Sequence, residues 1–132
     1  MSEQAPHVAY AFFCQYVYAD PSGKVSCVGL WGPECRVLAS PPAQIDLAFH
    51  ASVRHGSVER LVGRLVLSSP NVPTQTIPLD LAGRAGATSN VNVNMPGFQF
   101  LDAGETVARL DFDTEPPTSC ETRLAVSFQQ AG

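Results

Sequence analysis

Two aspartates at strand spacing are the first residues in this sequence that could bind a metal. Asp111 and Asp113 are two positions apart, so an extended chain places both side chains on one face. Calcium in proteins takes six or more oxygen ligands, usually from several acidic loops. The other candidate ligands, Asp20, Asp102 and Glu105, are scattered along the chain. We therefore interpret the pair as the solvated face of a strand, and we predict neither a metal site nor a cofactor.

The cysteines are the next candidates, for zinc binding or for nucleophilic catalysis. They are Cys14, Cys27, Cys35 and Cys120. No two of them form a C-x-x-C pair, and His50 and His55 are five residues apart at the end of a predicted strand rather than on one helix face. We expect Cys14 and Cys27 to be buried, inert thiols. We expect Cys35 to lie in a loop.

The sequence contains no motif of a known catalytic class. It has no G-x-S-x-G, no phosphate-binding loop and no dinucleotide fingerprint. We therefore predict that the protein is not an enzyme and has no catalytic residues. A hydrolytic or redox enzyme built on Cys35 or on the Asp111 and Asp113 pair is the alternative.

Two groups of uncharged residues are candidates for contact with a partner. Asn90, Asn92 and Asn94 alternate with apolar residues, which predicts an outward polar ladder that could bind a sugar or simply form an uncharged strand face. Aromatic residues are concentrated near the N-terminus, and core packing explains most of them. Tyr18 and Trp31 lie near the ends of predicted strands and are the best candidates for an exposed contact patch.

Composition limits the class of protein and its partners. The chain has 132 residues, 45% hydrophobic and 15% charged, which predicts one globular domain over residues 1–132 with a loose N-terminus at 1–6. The net charge is −4 and the eight basic residues are scattered, so nucleic-acid binding is disfavoured. No apolar run is long enough for a bilayer, and no signal peptide is evident. We predict no membrane partner, a cytoplasmic location and reduced thiols.

The element that must position the aromatic residues is a predicted hairpin over residues 7–31. Two apolar runs flank Asp-Pro-Ser-Gly, which is typical of a β-hairpin. The first run is apolar on both faces, so we expect a central strand covered on each side, or a subunit contact. If Ala19 faces Lys24, Cys14 pairs with Gly29 and Tyr16 with Cys27. In that register Cys14 and Cys27 are diagonal and too far apart for an unstrained disulfide.

Short alternating segments follow the hairpin along the rest of the chain. Residues 44–54, 74–81, 90–100, 106–114 and 120–128 each read as strands, and a short strand is predicted near 36–39. Residues 58–68 fit both a helix and a strand, and Gly63 and the flanking turns favour the strand. Pro78 favours an edge position for the strand 74–81. About eight strands with regular turns predict an all-β, antiparallel β-sandwich of the Ig-like or C2-like kind.

The hairpin resembles the start of a family of small bacterial all-β proteins that have no assigned activity. Their signature is A-x-F-C-x-x-V, a turn, and then G-K-x-S-x-x-G-x-x-G. The matching residues here are Ala11, Phe12, Phe13, Cys14, Val17, Gly23, Lys24, Ser26, Gly29 and Gly32. The resemblance implies a sandwich fold and a bacterial source, and it implies no chemistry.

From these observations we predict a non-enzymatic interaction module. It would bind a protein partner and self-associate through the hairpin sheet or its edges. The alternative is a sandwich that binds a small ligand or a carbohydrate through Asn90, Asn92, Asn94 and the loops.

Overall fold

A computed structural model describes residues 5–22 and 24–129 of the chain. These residues form nine β-strands and no helix, so no helix among them is long and apolar enough to cross a bilayer. The strands are β1 (His7–Ala19), β2 (Val25–Leu30), β3 (Glu34–Val37), β4 (Ala43–Arg54), β5 (Arg60–Ser69), β6 (Val72–Ala82), β7 (Thr88–Phe100), β8 (Gly104–Phe112) and β9 (Thr118–Phe128).

The strands pack as two sheets, which confirms the predicted β-sandwich, with nine strands instead of about eight. The first sheet has the order β2-β1-β4-β7, and the second has the order β3-β9-β8-β5-β6. All pairings are antiparallel except that of β3 with β9. Of the predicted loose terminus at 1–6, residues 1–4 lie outside the described part of the chain, and residues 5 and 6 precede β1.

The core lies between the sheets and follows from period-two alternation. On β4, Leu47, Phe49, Ala51 and Val53 are inaccessible to solvent or nearly so. They face inward-pointing residues of the second sheet, among them Leu61, Leu65, Leu110, Phe112 and Leu124. Side chains of a strand alternate between its two faces, so positions 48, 50 and 52 of β4 point away from the core.

The ambiguous segment 58–68 is a strand, as predicted, within β5. No larger residue fits at position 63, because a Cβ atom on Gly63 would be 1.9 Å from the Asp111 carbonyl oxygen of β8. β6 is an edge strand, as Pro78 indicated. Ile77, Leu79 and Leu81 of β6 pack against the core.

The predicted register of the hairpin is wrong by one residue. Ala19 pairs with Val25, Tyr16 with Val28 and Cys14 with Leu30. The cause is the turn, which spans residues 20–24 rather than four residues. The Asp20 N–H donates to the Lys24 carbonyl at 3.0 Å, and Asp20 Oδ1 accepts from the Ser22 and Lys24 N–H groups at 2.9 and 3.1 Å.

β1 bends after Cys14. Cys14 and Val17 are three residues apart, so a flat strand would place them on opposite faces. Both instead belong to one small buried cluster with Ala48 of β4. The bend lies near Gly29 of β2, whose φ of 64° is readily adopted only by glycine. The pairing of β1 with β4 ends at the same place, at Cys14.

Beyond the bend, a side chain of β7 takes over as the partner of β1. The Val17 N–H donates to Asn94 Oδ1 at 2.8 Å, and Asn94 Nδ2 donates to the Val17 carbonyl at 2.9 Å. Asn94 crosses over Ala48 of β4 to make these bonds, because β4 lies between β1 and β7. The end of the hairpin therefore folds over the outer face of the first sheet.

The expectation that β1 would be covered on both faces holds only in part. β1 lies between β2 and β4, and Phe13, Cys14 and Val17 are buried. However, Tyr10, Tyr16 and Tyr18 remain about half exposed. The aromatic side chains of β1 are thus divided between the buried core and an open surface.

Candidate functional site

The outer faces of the two sheets differ in charge. In the four strands of the first sheet, Asp46 and Arg54 are the only Asp, Glu, Lys or Arg residues. The strands of the second sheet carry many more, namely Glu34, Arg36, Arg60, Arg64, Asp80, Glu105, Arg109, Asp111, Glu121 and Arg123. Since the centres of protein interfaces are depleted in charge and enriched in aromatic residues, the first sheet is the better candidate for a binding face.

The charges of the second sheet are paired with one another. Arg64 bonds to Asp113 at 2.8 Å, and Arg109 bonds to Asp111 at 3.0 Å. The hydrogen bond from Arg60 lowers the pKa of Asp80. Within residues 5–22 and 24–129, no cluster of three or more potential metal ligands is present. Asp111 and Asp113 therefore belong to an exposed ion-pair surface.

The first uncharged surface is on the hairpin. We define the hairpin patch as Tyr16, Tyr18 and Val28, which are 50%, 56% and 54% exposed. Tyr16 pairs directly with Val28, so the apolar side chains of the two strands are adjacent. β2 is at the edge of its sheet, and its outer backbone groups are not paired with another strand of the described chain.

The second uncharged surface lies on the outer face of the same sheet, across β1, β4 and β7. Two rows of three residues run across the strands. Tyr10 pairs with Ser52, which pairs with Asn90, and Phe12 pairs with His50, which pairs with Asn92. We call this surface the aromatic–amide shelf and define it by these residues: Tyr10, Phe12, His50, Ser52, Asn90 and Asn92.

The shelf has aromatic rings on one side and amides on the other. The Tyr10 and Phe12 rings are nearly parallel, at 7°, with centroids 6.0 Å apart. The His50 ring contacts both, with centroids 5.7 Å from Tyr10 and 5.3 Å from Phe12. Asn90 and Asn92 are exposed on β7. The rings and the amides flank the polar side chains of β4.

The centre of the shelf holds polar groups with unused hydrogen-bonding capacity. His50 is 3% exposed and Ser52 is 5% exposed. His50 Nδ1 lies 2.6 Å from Asn92 Oδ1, and a neutral imidazole that donates through Nδ1 there has Nε2 as an acceptor. Neither His50 Nε2 nor Ser52 Oγ has a hydrogen-bond partner among the described residues, and neither is sealed from solvent.

The candidate interaction residues from the sequence fall in three different places. Asn90 and Asn92 lie on the shelf, and Tyr18 lies on the hairpin patch. Asn94 is exposed on the same face as the other asparagines, but its amide is bonded to the Val17 backbone. Trp31 is only partly exposed and packs against the core, and its Nε1 is buried without a partner in the described chain.

The thiols and the second histidine have structural surroundings. Burial, and next the neighbouring Cys27 thiol, raises the pKa of Cys14 to about 11. The prediction of a loop position for Cys35 is wrong, because Cys35 is buried in β3 opposite Val126 of β9. Burial raises its pKa as well. His55 is buried, with Nδ1 3.1 Å from the Val58 carbonyl and Nε2 2.6 Å from Ser89 Oγ.

The sequence reasoning missed His50, Ser52 and Tyr10 as members of a surface site. In the sequence, His50 and Ser52 alternate with Phe49, Ala51 and Val53, which predicts a solvent-facing position for both. That assignment of the face is correct, but neighbouring side chains bury both residues on it. The signal lay in the combination of three strands: large rings on β1 and asparagines on β7 flank short polar side chains on β4.

Comparison with known proteins identifies no family for this chain. No family model matches it, so the resemblance of its hairpin to the bacterial family stays a prediction. No curated protein matches it either. Among solved structures, a β-glucosidase from Erythrobacter marinus matches at 14% identity and a TM-score of 0.48. The match covers 96% of this chain and 15% of the glucosidase chain, and at this score it carries no weight for function.

Proposed function

We propose that this β-sandwich is a non-enzymatic protein-interaction module that self-associates through its hairpin. The observation that carries the proposal is the hairpin patch, in which three apolar or aromatic side chains are at least half exposed on an open edge strand and its neighbour. Tyrosine is enriched in interface centres, and an unpaired edge is a template for a further strand.

The occupant we propose for this surface is a second copy of the chain. Antiparallel pairing of two β2 strands is self-complementary under a two-fold axis, so each copy presents the same residues to the other. The patch itself carries no charge, and the charges of the strands are concentrated on the second sheet. Two copies can therefore meet at β2 without bringing like charges together.

Substitution of Val28 by lysine tests this proposal. Val28 lies at the centre of β2 and is 54% exposed, so Val28→Lys puts a charge at the interface while sparing the core. We expect the wild-type chain to sediment as a concentration-dependent dimer and Val28→Lys as a monomer. Sedimentation equilibrium at several concentrations is the measurement.

Val62→Lys is the matched control. Val62 is also an exposed valine, at 46%, but it lies on β5 of the second sheet. Its substitution should leave the dimer unchanged. A wild-type chain that remains a monomer at its highest attainable concentration would show that the proposal is wrong, and so would a Val28→Lys variant that still dimerises.

For the location we propose the cytoplasm. The support is that all four cysteines are free, and free thiols are usual in reducing compartments. Measurement of the thiol state in protein trapped by rapid alkylation from its own cells tests this. Four alkylated cysteines are expected, and an oxidised pair would contradict the assignment.

A further inference from the structure

We propose that the aromatic–amide shelf is a binding site for a neutral carbohydrate. The site is distinct from the hairpin patch, and the proposal does not depend on self-association. It follows from three properties of the shelf: the chemistry of its polar groups, their incomplete hydrogen bonding, and the rings beside them.

The polar groups alternate between donors and acceptors as a sugar requires. A sugar hydroxyl both donates and accepts, so a matching site offers both functions close together. With a neutral His50 donating through Nδ1 to Asn92 Oδ1, Asn92 Nδ2 is left as a donor and His50 Nε2 as an acceptor. The Ser52 hydroxyl, in the adjacent row, can do either, and so can the Asn90 amide.

The two central residues are largely buried, but their free polar atoms still reach the surface. His50 is 3% exposed and Ser52 is 5% exposed, and His50 Nε2 and Ser52 Oγ have no protein partner in the part of the chain that the structure describes. Polar groups in such a position usually find a hydrogen-bond partner. A ligand hydroxyl can take the place of the solvent that reaches these two atoms, while the neighbouring side chains already cover the rest of both residues.

The rings supply the apolar part of the site. Sugar rings present C–H groups on one face, and these pack against aromatic rings. Tyr10 is 52% exposed and stands parallel to Phe12, with the ring centroids 6.0 Å apart. The His50 ring supports both from β4. An ordered aromatic side chain beside fixed hydrogen-bonding groups is the usual design of a small-ligand site.

A polypeptide strand fits this surface less well. The shelf lies on the face of β1, β4 and β7, whose backbone groups are engaged in the sheet, so an added strand would find no backbone partner there. The six side chains of the shelf include no Lys, Arg, Asp or Glu. Arg54 lies one row beyond Ser52, paired with His7 and Thr88, and is the residue that an acidic sugar would use.

Titration calorimetry with defined oligosaccharides tests the proposal. The probes are cellohexaose, xylohexaose, laminarihexaose and mannohexaose as neutral chains, and hexagalacturonate as an acidic chain. We expect binding of at least one neutral probe. Tyr10→Ala should weaken that binding by about tenfold or more, through loss of the ring contact. Asn90→Ala should weaken it through loss of a hydrogen bond.

Tyr18→Ala is the matched control, because Tyr18 is an equally exposed tyrosine on the hairpin patch. It should bind the probe as the wild type does. The side-chain amide signals in an ¹⁵N spectrum give an independent readout. Those of Asn90 and Asn92 should move on titration, whereas that of Asn94, which is bonded to the Val17 backbone, should not.

Three results would overturn the proposal. The first is the absence of heat and of amide shifts with every neutral probe. The second is binding that Tyr10→Ala and Asn90→Ala leave unchanged, with thermal unfolding confirming that both variants are folded. The third is binding of hexagalacturonate alone, lost in Arg54→Ala, which would assign the face to an acidic ligand.

Discussion

Three asparagines of β7 have different hydrogen-bond partners although they occupy equivalent positions in the sequence pattern. Asn90, Asn92 and Asn94 are equivalent by alternation, and all three are exposed on one face. The structure gives them different partners: Asn92 accepts from His50, and Asn94 bonds to Val17. Periodicity can predict the face that a residue occupies, but the neighbour across the sheet depends on strand order.

Cys14 makes the stability of the fold sensitive to alkaline pH. Its thiol has a pKa of about 11 in the folded chain and about 9 when exposed. Between these two pH values the unfolded chain releases a proton that the folded chain keeps. The contribution of the thiol to the free energy of unfolding is therefore fully present below pH 9 and is lost as the pH rises towards 11. The loss should approach about 2 kcal/mol. Urea unfolding from pH 8 to 10.5 measures it.

Cys14→Ala is the control for that prediction. Alanine removes the titrating thiol and part of its volume, so the variant should be less stable at pH 8 but should lose less stability as the pH rises. Equal alkaline losses in both proteins would assign the effect to another group. Cys35, whose pKa burial also raises, would then be the next candidate.

At the scale of elements, the end of the hairpin beyond Cys14 is attached to the outer face of the sheet by the Asn94 side chain. Beyond Cys14 the strand β1 no longer pairs with β4, and the Asn94 amide supplies a donor and an acceptor to the Val17 backbone. A planar amide group can replace the edge of a strand at one position in this way, since it carries both functions side by side.

We expect Asn94→Ala to destabilise the protein by about 1–3 kcal/mol, because it leaves two backbone groups of Val17 without partners. Asn90→Ala, two residues earlier on the same face, removes no hydrogen bond within the described chain and should change stability by less than about 0.5 kcal/mol. Urea unfolding of the two variants gives the comparison. Similar small losses would mean that solvent replaces the amide and that the anchor is not needed.

The elements themselves were largely predictable, and their distortions were not. Alternation identified β4, β7, β8 and β9, whereas Gly63 and the flanking turns favoured a strand for β5 despite its helical spacing. The hairpin register was wrong because the Asp20 side chain organises a longer turn than Asp-Pro-Ser-Gly suggests. The position of Cys35 was wrong because the short strand predicted near 36–39 begins earlier, at Glu34, and four residues show too little alternation to fix where a strand starts.

For the whole molecule, one core between the sheets holds the fold together, while the outer face of the first sheet is available for binding. Phe49 lies in that core, opposite the second sheet, and Phe12 lies on the outer face. The two phenylalanines occur in adjacent strands of the same sheet. Substitution of each in turn therefore compares how much the core and the outer face contribute to the free energy of unfolding.

Phe49→Ala should destabilise the chain by about 3–5 kcal/mol, because it leaves a large cavity in a packed interior. Phe12→Ala should cost clearly less, since Phe12 is partly exposed and its removal opens the surface to solvent. Denaturant unfolding gives both values, with the same dependence of the unfolding free energy on denaturant concentration used for the two variants. A larger loss for Phe12 than for Phe49 would contradict the assignment of inner and outer faces.

The site was less predictable than the fold because its residues are far apart in the sequence. The asparagines and the aromatic residues are each visible in the sequence, but they come together only through the order β1-β4-β7, which joins residues about 40 and 80 positions apart. His50 and Ser52 looked like ordinary exposed strand residues, and their burial depends on the neighbours that this order brings.

The place of β9 has a practical consequence for anyone who shortens the chain. β9 lies inside its sheet, between β3 and β8, and β3 has no other partner strand in the described residues. A truncation before Thr118 would remove the strand that joins β3 to β8, along with the buried Leu124 and Val126. β3 would lose its partner strand, and one edge of β8 would be left unpaired. We therefore expect such a fragment to aggregate.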